Sequence, residues 1–116
     1  MSDAAMPPPL LPPDRRVERG KIEDYLLHPT KGRGKAAFFE AFGFSLADWG
    51  ALRDALLEHA ATNPVAEAVV SPWGTRYSVR GGLRTPDGRQ PPPVVCSVWQ
   101  SDGGSPGVRL ITAYPD

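Results

Sequence analysis

Apolar and polar residues follow two rhythms along this chain, and the rhythm changes near Asn63-Pro64. Before that point apolar residues recur every three or four positions. "KIEDYLL" sets Ile22, Tyr25 and Leu26 at helical spacing and predicts a short helix over about residues 19–27. Pro29 ends it, because the residue before a proline is pushed out of the helical region. After the glycine-rich loop "TKGRG", "KAAFFEAFG" predicts a second helix with Phe38, Phe39 and Phe42 as its apolar stripe and Gly43 as its C-terminal cap. Ser45, with Asp48 three residues on, starts a third helix reaching about Thr62, on which Leu46, Trp49, Leu52, Leu56 and Ala60 form one buried face.

After Pro64 the segments are short and rich in β-branched and aromatic residues: "VAEAVVS", "GTRYSVRG", "PVVCSVWQ" and "VRLITAY". Turn chemistry separates them, in "SPWG", "TPDG" and "SDGGSPG". Four strands joined by short loops predict an antiparallel meander. Helices followed by strands predict an α+β fold, three N-terminal helices packed on one face of a four-stranded antiparallel sheet. In the last strand Val108, Leu110, Thr112 and Tyr114 are expected on one face, with Arg109, Ile111 and Ala113 on the other. Residues 1–16 contain "PPPLLPP" and read as a disordered proline-rich tail, leaving 17–116 as a single domain.

Composition narrows the function classes. With 116 residues there is room for one domain, and a formal charge of zero argues against a protein whose main business is coating nucleic acid. The single cysteine, Cys96, excludes an internal disulfide and suits a reducing cytoplasm, where we expect the protein. No apolar run approaches a membrane span, and the N-terminus lacks the pattern of a signal peptide. Two distant histidines and one cysteine show no metal-ligand spacing, so neither a metal nor a cofactor is expected.

The candidate chemistry starts at "LHPTKGRGKA", residues 27–36. Lys31, Arg33 and Lys35 lie within five positions on glycine-rich backbone, a setting that suits a phosphate, although a solvated loop is the commoner outcome for such a composition. The P-loop spacing is absent. His28 precedes these cations, which favour its neutral, base-competent form; the bland alternative is a histidine that caps a helix end. His59 reads as a helix-end residue of that second kind. Thr112 and Tyr114 present a hydroxyl and a phenol two residues apart, either toward a ligand or as an ordinary β-forming pair. Arg76, Ser78 and Arg80 give the second strand a polar face. Trp49 and Trp99 are expected in the core and Cys96 as a small packed hydrophobe. Trp73, in the "SPWG" turn, is expected to be exposed and available to a partner.

Two resemblances sharpen these expectations. "KIEDYLLHPTKGRGKAAFFEAFGFSLADW" together with the closing "VRLITAYP" resembles a bacterial family catalogued as a domain of unknown function, over Val17 to Pro115. Its signature runs K-[LI]-x-x-Y-L-L, then H-P-x-x-x-G-x-x-K-A-x-F-F. The resemblance implies a small domain found alone and as the C-terminal module of polymorphic-toxin-like proteins. More distantly, helices before an antiparallel sheet that closes on "T-x-Y" are similar to the barnase–EndoU–colicin–RelE ribonucleases. That likeness implies metal-free RNA cleavage, with a base on the 2′-hydroxyl, cations on the phosphate and an acid on the leaving oxygen. Thr112 and Tyr114 match the closing motif directly, whereas His28 and Lys35 fit by chemistry and order. The chain departs from the group in its neutral charge and in lacking a strand-borne glutamate or histidine.

Two functions follow as expectations. One is a toxin-type endoribonuclease acting on RNA, with His28, Lys35, Thr112 and Tyr114 catalytic and Lys31 and Arg33 on phosphate. The other is a non-catalytic module, antitoxin-, immunity- or adaptor-like, that binds a partner protein.

Overall fold

The structure, a computed structural model, describes residues 10–28, 34–102 and 107–116. Its sheet has five strands in the order β1-β5-β4-β3-β2: β1 is Arg15–Arg16, β2 Val65–Ser71, β3 Gly74–Gly82, β4 Val94–Asp102 and β5 Val108–Pro115. The expected meander is present as β2 to β5, each strand antiparallel to the next. The sheet is nevertheless mixed, because β1 pairs in parallel with β5 through Arg15 opposite Val108 and Arg16 opposite Arg109.

That fifth strand corrects the expected four, and it lies in the segment read as a tail. The prolines before Asp14 hide it, while Leu11 is buried and the Asp14 carbonyl accepts a 2.8 Å bond from the Val108 N–H. Gly107, at φ 79°, makes this approach feasible, since a Cβ there would collide with the Asp14 backbone.

Among the described residues, three helices precede the meander. The first, α1 (Arg19–Lys21), runs directly into a π-helical turn at Ile22–Leu26, closed by the Leu27 N–H on the Ile22 carbonyl at 2.8 Å. Its buried Ile22 and Leu26 are the apolar positions the spacing marked. The second, α2 (Lys35–Glu40), is shorter than expected; residues 41–43 form a turn rather than helix. The third, α3 (Trp49–Thr62), follows a 3-10 turn at Leu46–Asp48, and the Ser45 hydroxyl accepts from the Asp48 N–H at 3.3 Å, as the capping pattern predicts.

α3 lies against β3 and β4. Leu52, Leu56 and Ala60 from α3 join Phe39, Ile22, Leu26, Val79, Val95, Trp99 and Leu110 in one hydrophobic core. Trp49, expected in that core, is only partly buried and is flanked by the guanidinium groups of Arg19 and Arg53, each 5.0 Å from its ring. Among the described residues, no helix is long and apolar enough to cross a membrane.

β5 does not keep one face throughout. Its register against β4 shifts between the Trp99–Leu110 and Val98–Thr112 pairs, which leaves Ile111 as an extra residue. Buried positions are Val108 and Leu110 before the bulge and Ala113 after it. The expected common face of Val108, Leu110, Thr112 and Tyr114 is therefore broken: Thr112 and Tyr114 do not continue the row of Val108 and Leu110.

Candidate functional site

The clearest convergence of polar groups from distant parts of the chain joins the first helix to the last strand. β1 covers β5 only at Val108 and Arg109, so among the described residues the edge of β5 beyond them has no further strand partner. The first helix lies against this strand. Tyr25, in the π-helical turn, accepts a 3.3 Å hydrogen bond on its phenol oxygen from the Thr112 hydroxyl, across 87 residues of sequence. Two ammonium groups face the same ring. Lys21, one helical turn back, places Nζ 5.2 Å from the ring centre. Lys35, the first residue of α2, places Nζ 5.4 Å from it. Attraction between each ammonium and the ring's π-system favours both positions.

The electrostatics follow from this geometry. The Thr112 hydroxyl stabilises a charge on the phenol oxygen and, with the nearby Lys35 and Lys21 ammoniums, outweighs the opposing effect of burial. The Tyr25 pKa consequently lies below its ordinary value of 10.0. A phenol, two ammoniums and a hydroxyl can hold an anion and move a proton.

The sequence-predicted residues divide around this cluster. Lys35 and Thr112 meet in it, through Tyr25. His28 is half-buried just beyond the helical turn, and its backbone N–H donates to the Tyr25 carbonyl at 3.2 Å. Lys31 and Arg33 lie outside the described residues. Tyr114 keeps different company: it opposes Cys96 on β4, and the Cys96 sulfur, foremost, raises its pKa, with the Asp116 carboxylate adding to the rise and Arg80 opposing it. Arg80 pairs with Asp116 at 3.3 Å. Along the strand Tyr114 is two residues, roughly 7 Å, from Thr112.

The sequence alone presents Tyr25 only as a helix-face residue. The signal available in the sequence was its spacing from Lys21, four residues along a helix, which places an ammonium and an aromatic ring side by side. Nothing local pointed to Thr112.

Trp73 is 76% exposed and, with Val69, Ser71, Arg76 and Gln100, lines a surface groove of about 420 Å³. Arg76 donates to the Gln100 amide oxygen at 3.2 Å along its wall. Two smaller grooves, of about 240 and 260 Å³, share Arg84 and Thr85 and are lined by none of the candidate residues.

His59, read as a helix-end residue, is instead buried between α3 and the sheet. Its Nε2–H donates to the carbonyls of Gly81 (3.1 Å) and Val95 (3.0 Å), so the neutral ring accepts at Nδ1 from the Ser97 hydroxyl (2.9 Å). The Ser97 oxygen in turn accepts from the Trp99 indole N–H at 2.8 Å. Burial pushes the His59 pKa below 6.5, outweighing the two carbonyls. With both ring nitrogens committed, this histidine serves the fold. Among the described residues, no group of three or more histidine, cysteine or acidic side chains is placed to hold a metal ion.

Comparison with known proteins adds a family and a fold. The family model "Domain of unknown function (DUF6883)" matches residues 14–116. No curated protein sequence matches the chain. Among solved structures, a chain of the "Contact-dependent growth inhibition toxin - immunity protein complex from Klebsiella pneumoniae 342" is similar, with a TM-score of 0.66 at 14% identity; the match covers 86% of this chain and 98% of that one. At that identity the likeness is one of fold.

Proposed function

This chain belongs to the DUF6883 family, and from that premise we propose that it is a metal-independent endoribonuclease of toxin type. The observation that carries the proposal is the meeting of Lys35 and Thr112 on Tyr25, where the front helices touch the last strand. The fold shared with a chain from a toxin–immunity complex supports the same reading.

In this reading His28 takes the proton of a ribose 2′-hydroxyl, the general-base task for which an imidazole ring nitrogen is chemically suited. Lys35, with Lys31 and Arg33 shortly before it in the sequence, holds the phosphate and offsets the charge that builds on it during attack. Thr112 and Tyr114 line the strand beneath. Purified protein is expected to cleave RNA in the presence of EDTA and to arrest growth when expressed. His28→Ala and Lys35→Ala should each lower the cleavage rate by about 10²–10⁴. Full activity in both variants would refute the assigned roles.

A second reading, a protein-binding module of the immunity or adaptor kind, is favoured by the exposed edge strand. Val69, Val70 and Trp73 are 55%, 81% and 76% exposed on and beside β2. It predicts a stoichiometric complex with the product of a neighbouring gene, measured by size-exclusion chromatography. The complex should survive His28→Ala and be lost with Trp73→Ala.

A further inference from the structure

We propose that Tyr25 is the general acid of the cleavage reaction, delivering its phenolic proton to the departing 5′-oxygen of the RNA. This inference rests on the ribonuclease reading, which identifies a base and phosphate-holding cations but leaves the acid unassigned.

The surroundings of Tyr25 suit a phenol that gives up a proton and has it returned. The Thr112 hydroxyl already points its hydrogen at the phenol oxygen, 3.3 Å away. Lys21 and Lys35 stand 5.2 and 5.4 Å from the ring centre. All three groups stabilise a phenolate and are in place before any substrate arrives, so little reorganisation is needed as the proton leaves. The lowered pKa is the equilibrium expression of that arrangement and moves the acid toward the range where proton transfer is efficient. The backbone carrying Tyr25 is also unusual. It belongs to a π-helical turn, a departure from α-helix that often accompanies functional residues. Lys35 contributes to both tasks, holding the phosphate and standing beside the acid, which places proton donor and scissile group together.

His28 removes the 2′-hydroxyl proton, and the 2′-oxygen forms a bond to phosphorus. The bond from phosphorus to the 5′-oxygen breaks, its electron pair stays on that oxygen, and Tyr25 supplies the proton. The products are a 2′,3′-cyclic phosphate and a free 5′-hydroxyl. The imidazolium of His28 then returns its proton through water to the Tyr25 phenolate.

The test uses full-length protein and two substrates, an ordinary oligoribonucleotide and one with sulfur in place of the bridging 5′-oxygen. A thiolate leaves without protonation, so it removes the need for an acid. Tyr25→Phe should cleave the ordinary substrate about 10²–10⁴ times more slowly than wild type. On the sulfur substrate it should recover to within about tenfold of wild type, whereas His28→Ala should stay slow on both. Thr112→Val should move the alkaline limb of the pH–rate profile upward, because the main influence lowering the Tyr25 pKa is gone. A Tyr25→Phe variant that is equally slow on both substrates, or as fast as wild type on the ordinary one, overturns the assignment and leaves the ribonuclease reading standing. Absence of cleavage by the wild-type protein overturns both. Circular dichroism of each variant separates loss of the acid from loss of the fold.

Discussion

The chain links helix to sheet through polar side chains in two places, and the two are built to opposite ends. Around His59 every donor and acceptor is committed: two carbonyls, a serine hydroxyl and an indole close the network, and the ring is 1% exposed. Around Tyr25 a half-buried phenol takes a hydrogen bond from Thr112 and stands beside two cations. The first arrangement satisfies groups that burial would otherwise penalise. The second concentrates positive charge around a group that can lose a proton. Both pull on a pKa, but burial acts at His59, and hydrogen bonding together with positive charge acts at Tyr25. The two shifts thus have different physical origins, one in a closed buried network and the other in a partly open cluster of cations and hydroxyls.

Substitutions on the buried side should have the largest effects on stability. Trp99→Ala removes the largest fully buried side chain and the indole donor to Ser97, and should cost about 3–5 kcal/mol in denaturant unfolding. His59→Leu keeps most of the volume but strands the Ser97 hydroxyl and should cost about 1–3 kcal/mol. Ser45→Ala removes the cap of the 3-10 turn ahead of α3 and should cost about 1 kcal/mol. Tyr25→Phe gives up the partly exposed hydrogen bond with Thr112, so its cost should fall within about 1 kcal/mol. A Tyr25→Phe variant as unstable as His59→Leu would erase the contrast between the two regions.

Acid sharpens the contrast further. The His59 pKa in the fold lies below 6.5, so folding favours the neutral ring. The stability this provides is complete above about pH 6.5 and is lost as pH falls toward the lowered folded value. His59→Leu should remove that dependence between pH 6.5 and the acid limb set by the carboxylates, and unfolding curves at several pH values would show it.

These two regions also mark the limit of what could be read from the residues. The strands β2 to β5 were legible because period-two patterning and turn residues speak locally. So were the start of α3 at Ser45 and the exposure of Trp73. β1 was not, since two arginines after a proline-rich stretch carry no pattern and their strand exists only through pairing with Val108 and Arg109. The bulge at Ile111 left no trace in the spacing either, and it changes which residues of β5 share a face. The hydroxyls that meet His59 and Tyr25 lie 38 and 87 residues away, so these contacts depend on the topology. Lys35 and Thr112 were identifiable as chemical groups. The phenol between them became visible only once the helix was set against β5.

The most direct test of the central claim is cleavage of RNA by the purified protein in EDTA, with wild type and Lys35→Ala compared at matched fold content. The account predicts cleavage by the wild type, ending in 2′,3′-cyclic phosphates, and a loss of about 10²–10⁴ in the variant. Equal rates for the two, or no cleavage by either, would contradict it.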